Sequence, residues 1–204
     1  SNSVMIPHGV DFIDPKKLKK IKIFNKKYIE IVYVSNFDLY KHQDNVIIAF
    51  NSLIKKYNNL RLHLVGGYNY DSFYKKCKKL SKNNKRIVFH GNVLHSNISN
   101  YLFSADVLLF ASSCENMPNT LLEYMTSKKP ILCSEKGPMP EVLGEWDFYF
   151  DPENVSSVKN AMSDLILQRS IWPDLSLKAY ERAKKYSWKK CSKSIFDLSF
   201  KILK

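Results

Sequence analysis

At 204 residues, 45% hydrophobic and 25% charged, the chain has the length and composition of one α/β domain with a substantial core and room for a small extra subdomain. No apolar run approaches the ~18 residues of a membrane span, and no basic start, apolar middle and small-residue cleavage site opens the chain as in a signal peptide. The 32 basic against 19 acidic residues give +13, but the excess is lysine mixed with asparagine and isoleucine, as in "KKLSKNNKR". An AT-rich coding sequence produces that mixture, so solvated lysine faces account for the charge better than a nucleic-acid-binding function does.

Residues 1–28 carry one short apolar run, turn residues and a lysine cluster ("VMIPHGVDFIDPKK"), and read as a segment arriving from elsewhere. Ser1 and Asn2 read as a cloning remnant. From Ile29 onward, β-branched runs alternate with amphipathic stretches. "IEIVYVS" is almost continuously apolar, as in a strand covered on both faces. "NVIIAFNSLIKKY" has helical spacing, "LRLHLVGG" is a second strand ending in a glycine pair, and a lysine-rich helix runs through Leu80. The strand "RIVFHG", a helix over "ISNYLFSA" and the strand "DVLLFAS" follow. Next come "CENMPNTLLE" with its helix, "PILCSE", a helical turn near "PEVLG" and the strand-like "WDFYFD". Helices are expected over 155–168, 172–186 and 189–204. This rhythm predicts parallel βαβ units and hence an α/β, Rossmann-like doubly wound sheet of about six strands with helices on both faces. The expected division is an incoming segment at 1–28, a Rossmann-like domain at 29–187 and a C-terminal helix at 188–204. Cys77, Cys114, Cys133 and Cys191 lack CxxC or His-linked spacing, so buried, reduced thiols are expected in place of a zinc site or disulfide framework.

Ligands of such sheets sit beyond the carboxyl ends of the strands. The loops there supply Lys41, Asn36, the backbone amides of Gly66, Gly67 and Gly91, and the carboxylates Glu115 and Glu123. Pro118 suits a first helical position, which leaves the N–H groups of Asn119, Thr120 and Leu121 open to a phosphate. Eight residues on one helix would span ~12 Å, so Glu115 and Glu123 are too far apart for an acid/base pair. They can hold two parts of one long ligand with phosphate between them.

The stretch "ADVLLFASSCENMPNTLLEYMTSKKPILCSEKGPMPEVLG", with "FHGNV", "LHLVGG", "YKHQ" and "VMIPHGVD" upstream, resembles the retaining glycosyltransferases of family 4, which have the GT-B fold of two Rossmann-like domains. The shared signature is an ADV strand, E-x7-E and a PEV segment. The resemblance implies that Glu115 meets donor-sugar hydroxyls, helped by backbone groups of Asn116, Met117 and Asn119. Thr120 and Leu121 amides would receive the ribose-side phosphate, Glu123 the ribose hydroxyls, and the Asn92–Val93 backbone the nucleobase. Lys41 would neutralise the leaving diphosphate, so Glu115 and Lys41 are the candidate catalytic groups. No metal and no cofactor are expected, and a UDP-sugar is the expected donor.

Two departures stand out. Ser35-Asn36 replaces the family's common Gly-Arg, removing one cation, and Asn116-Met117-Pro118 replaces Gly-Phe-Gly, removing one N–H. The resemblance covers only the second GT-B domain, so the acceptor, a glycan or lipid-linked glycan, is expected to be bound by an N-terminal domain outside this stretch, and the domain alone would transfer little. A cytoplasmic enzyme touching an anionic inner membrane face is the expected setting. Two alternatives remain: a nucleotide-sugar-binding or interaction domain without transferase activity, and a basic nucleic-acid-binding module, for which no reader motif is present. His42, His63, His90 and His95 are read as structural or solvent-facing, His8 as part of a Pro-x-Gly turn, Tyr68–Tyr74 as packing and cleft rim, and Glu141 as a helix cap.

Overall fold

The computed structural model describes residues 4–13, 23–24 and 27–202. Ser1 and Asn2, the Lys16–Lys17 cluster and the last two residues of the expected C-terminal helix lie outside the described residues. The strands are β1 (Ile29–Val34), β2 (Leu60–Val65), β3 (Ile87–Gly91), β4 (Val107–Phe110), β5 (Ile131–Ser134) and β6 (Tyr149–Phe150). They form one parallel sheet in the order β3-β2-β1-β4-β5-β6. The helices are α1 (Gln43–Leu53), α2 (Asp71–Leu80), α3 (His95–Ser104), α4 (Asn119–Thr126), α5 (Met139–Leu143), α6 (Val155–Leu167), α7 (Trp172–Ala183) and α8 (Trp188–Ile202). None is long and apolar enough to cross a membrane. The Rossmann-like doubly wound expectation holds.

The central strands β1 and β4 are buried on both faces, which is why neither alternates apolar with polar residues. Helix α1 packs on α2 and α6, while α4 packs on α5 and α7. The chain winds outward through β2 and β3, then returns to place β4 against β1, with Ile31 opposite Val107 and Val32 opposite Leu108. Ligands bind at such a reversal, because the loops after the two strands diverge to opposite faces and leave a crevice.

Several boundaries differ from expectation for local reasons. Helix α1 starts at Gln43, where His42 takes a left-handed conformation (φ 50°), and it stops at Leu53. Pro118 lies one residue before α4 instead of in its first position. The expected helix end over 184–186 tightens into three-residue turns, with Tyr186 N–H donating to the Ala183 carbonyl at 2.9 Å. The expected strand over "WDFYFD" shrinks to two residues, Tyr149 and Phe150, which pair with Cys133 and Ser134 of β5, while the Trp146 indole N–H donates to the Ile131 carbonyl (2.8 Å).

A pair of ionisable groups is buried in this core. Glu30, 1% exposed, lies beside His63, 3% exposed, with its Oε2 2.6 Å from His63 Nε2. His63 Nδ1 is 2.9 Å from His90 Nε2, and His90 Nδ1 is 3.3 Å from the Tyr101 hydroxyl. Phe24 stacks on the His63 ring at 4.0 Å. Burial raises the Glu30 carboxyl to about 7 against the pull of Arg61, with Asp106 adding to the rise. Burial lowers His63 to about 3, and His90 and Arg61 push the same way. Below about pH 7, with Glu30 protonated, its O–H donates to a neutral His63, which donates to His90, which donates to the Tyr101 hydroxyl oxygen. Each ring nitrogen of the two histidines then has a partner. The acid's second oxygen, Oε1, has no hydrogen-bond partner among the described residues.

Candidate functional site

The loops after β1 and β4 are joined by backbone and side chain. Strand β1 runs out through Ser35 into a 3-10 turn at Leu39–Lys41, capped by the Asp38 side chain. Tyr33, on β1 and fully buried, donates its hydroxyl to the Lys41 carbonyl at 2.8 Å. From the β4 loop, Ser113 N–H donates to the Tyr40 carbonyl at 2.8 Å, and Ser113 Oγ lies 2.8 Å from His42 Nε2. Burial lowers the His42 imidazole from its ordinary value, opposed by Asp44, Glu153 and Asp151. These contacts bring Lys41 to Glu115, 74 residues away in sequence, and the two form an ion pair. Both side chains are mostly covered, 14% and 17% exposed. The Lys41 ammonium also lies 4.9 Å from the Tyr40 ring centroid and 5.7 Å from that of Phe110.

The other expected residues fall into two groups. Helix α4 has no side-chain cap at its start. The Asn119 N–H, expected to be open, donates to the Met117 carbonyl at 2.9 Å, because the chain turns tightly at Pro118. The Thr120 and Leu121 N–H groups bond no acceptor among the described residues, so the dipole end of α4 presents two donors instead of three. Asn116 is exposed and Met117 half-buried against the core. Glu123 pairs with His95, Oε1 to Nε2 at 3.2 Å, with His95 open to solvent. The two carboxylates thus serve different loops: Glu115 faces the one after β1, Glu123 the one after β3.

Two of the three glycine amides, those of Gly66 and Gly67, are already occupied. Gly66 N–H donates to the Gly91 carbonyl (2.9 Å) and Gly67 N–H to Asn36 Oδ1 (3.1 Å). Neither is open to a phosphate; both hold the β1, β2 and β3 loops together. Asn36, expected at the ligand, is occupied in the same way, and its carbonyl accepts from the Gln43 amide at 2.9 Å. Gly66 is required there, since its φ is +148° and a Cβ would lie 2.2 Å from the Ser35 carbonyl oxygen. Asn92 is exposed and Val93 half-buried at the start of the β3 loop.

Further features were not legible in the sequence. His8, read as a turn residue, places Nδ1 3.1 Å from Asn119 Oδ1 and stacks on Trp188 at 5.8 Å. Gly9 beside it lets the incoming segment touch the start of α8, where a Cβ would meet the Trp188 nitrogen at 2.1 Å. A cavity of about 350 Å³ opens there, lined by Val10, His95, Ile98, Leu102, Glu123 and Trp188 among others. Tyr124, fully buried, accepts the Val34 N–H at 2.7 Å and so ties the end of β1 to α4. Burial pushes the Tyr33 and Tyr124 phenols far above the usual tyrosine range, so both act as neutral hydrogen-bonding groups. Of the cysteines, Cys77, Cys133 and Cys191 are buried as expected, but Cys114 is exposed, since it lies in the open loop beside Glu115.

The fold is a doubly wound α/β domain of the GT-B type, and at its switch point the covered Lys41 cation pairs with Glu115. The chain belongs to the family described as "Glycosyl transferases group 1", whose family model matches residues 14–188. It is 24% identical over 149 residues to "Sulfoquinovosyl transferase SQD2" of Arabidopsis thaliana, covering 71% of this chain and 28% of that protein. A glycosyltransferase structure from Rickettsia africae ESF-5 superposes with a TM-score of 0.86 at 21% identity, covering 98% of this chain and 57% of that one. A mutant of S. aureus TarM in complex with Fondaparinux, alpha-GlcNAc-glycerol and UDP gives a TM-score of 0.80 at 17% identity, covering 97% of this chain and 39% of that one. At these identities the structural likeness is one of fold. The chain spans just over a quarter of the curated relative's length.

Proposed function

We propose that this chain is the donor-binding half of a retaining glycosyltransferase, which takes a sugar from a nucleoside diphosphate sugar and passes it to a glycan or lipid-linked acceptor held by a further domain. The observation that carries this reading is the Lys41–Glu115 ion pair between the loops after β1 and β4, with Glu115 four residues ahead of the uncapped start of α4. A diphosphate placed there lies between a lysine ammonium and the Thr120 and Leu121 N–H groups, which together oppose its negative charge. The bond to the departing diphosphate breaks as that charge grows, so stabilising it lowers the barrier directly. Glu115, next to Lys41, takes sugar hydroxyls, and Glu123, on the second turn of α4, takes the ribose. The cavity beside Glu123 leaves room for the nucleoside. A UDP-sugar is the expected donor; the UDP in the TarM complex is in keeping with that. No metal is assigned a part, and the domain by itself transfers little because acceptor and donor are not held together.

Titration calorimetry with UDP, GDP and ADP tests the reading. One nucleotide should bind, and Glu123→Ala and Lys41→Ala should each weaken it about tenfold or more, the cost of a lost charge-assisted contact. Equal affinity in all three proteins, or no binding by any nucleotide, overturns the assignment.

A further inference from the structure

We propose that the Lys41–Glu115 ion pair is a latch, which a diphosphate opens by drawing Lys41 away and which thereby releases Glu115 for the sugar. This rests on the donor-site reading above. Among the described residues Glu115 is the one carboxylate paired with Lys41, and no other described residue bonds the Glu115 carboxylate. Both side chains are largely covered, and the ammonium sits by two aromatic rings, where water competes poorly for it. The loops that carry the pair are held independently of it. The Ser113–Tyr40 and Ser113–His42 contacts and the Tyr33–Lys41 carbonyl bond all leave both side-chain heads alone. Opening the latch is therefore a side-chain rotation over a fixed backbone. The second carboxylate differs: the partner of Glu123, His95, is 89% exposed, and such a pair restrains little.

The consequence is a site that distinguishes a nucleotide sugar from a bare nucleotide. Either ligand takes Lys41 from Glu115, leaving a covered carboxylate without its cation. A sugar hydroxyl then satisfies that carboxylate, whereas a free nucleoside diphosphate leaves it unpaired beside phosphate. After transfer the same imbalance favours return of Lys41 to Glu115 and departure of the nucleotide.

The test titrates this chain and its Glu115→Gln variant with inorganic pyrophosphate and with UDP, GDP and ADP. Glutamine keeps the size of the side chain, and thermal melting checks that the variant is folded; Glu115→Ala repeats the test should the glutamine form fail. The latch predicts that removing the carboxylate tightens pyrophosphate and the preferred nucleotide about five- to tenfold, because no ion pair has to be broken first. Lys41→Ala should do the opposite. If the wild-type chain binds a nucleotide and Glu115→Gln binds it equally or more weakly, the latch is wrong and the donor-site reading stands. If no chain binds any nucleotide or pyrophosphate, both fall.

Discussion

Replacing Glu30 by glutamine tests the buried proton chain most directly. In the wild type, burial raises Glu30 from 4.5 to about 7 and lowers His63 from 6.5 to about 3. For Glu30 the folded value is the higher, so its contribution to stability is complete below pH 4.5 and is lost as pH rises through 7. For His63 the folded value is the lower, so its contribution is complete above pH 6.5 and is lost as pH falls toward 3. Between pH 4.5 and 6.5 the two slopes are equal and opposite, because folded and unfolded pairs each hold one proton. Their joint contribution is flat there and falls by about 2 kcal/mol on further acidification to pH 3. Glu30→Gln removes one slope and exposes the other. The variant should lose stability as soon as pH drops below 6.5, by roughly 1.4 kcal/mol per unit, where the pair in the wild type contributes no slope. Relative to the variant, the wild type should gain about 3 kcal/mol on going from pH 7 to 4.5. Urea unfolding of both proteins at pH 4.5, 5.5, 6.5 and 7.5 measures this difference, and all other carboxylates cancel in it. A wild-type-minus-variant difference that stays constant across the four pH values refutes the shared proton.

Three further outcomes are expected. Tyr124→Phe leaves the Val34 N–H without its acceptor in a fully buried place and should cost about 1–3 kcal/mol in denaturant unfolding; an unchanged midpoint would mean that water fills the gap. Gly66→Ala forces a methyl to 2.2 Å from the Ser35 oxygen at a φ of +148°. It should lower stability by more than the ~1 kcal/mol of an ordinary glycine effect, and a melting temperature within a degree of wild type counts against the geometry. In thiol titration of the native chain Cys114 should react quickly, while Cys77, which burial raises to about 12, and the buried Cys133 and Cys191 wait for unfolding. Four equally fast thiols would contradict the burial.

The sheet was legible because parallel strands covered on both faces write themselves as continuous apolar runs, and "IEIVYVS", "LRLHLV" and "DVLLF" do so. The same reading passed over Glu30 as an exception within an apolar strand. Its meaning depends on His63 lying across the neighbouring strand, and no local pattern records that pairing. At the site, chain order was enough to place Lys41 and Glu115 at strand ends, but not to show that they touch, since that contact depends on the strand order. The glycine amides misled for a related reason. A glycine before a loop marks a backbone that needs space, and here a neighbouring loop takes up that space in place of a ligand. His8 and His95 were read as bland because their partners, Asn119 and Glu123, lie 111 and 28 residues away.

The pairing of Ile31 with Val107 and Val32 with Leu108 fixes how far each loop projects past the sheet edge. Lys41 and Glu115 hang from those two strands as from two rulers laid side by side. Sliding one ruler by a single residue would turn every side chain of β4 to the opposite face and carry Glu115 out of reach of Lys41. The spacing from Glu115 to Glu123 would be untouched, so a search for the motif would still find it. Whether a relative of this chain keeps the ion pair therefore depends on the alignment of β4 on β1, and an insertion within either strand should weigh more than most substitutions in the loops.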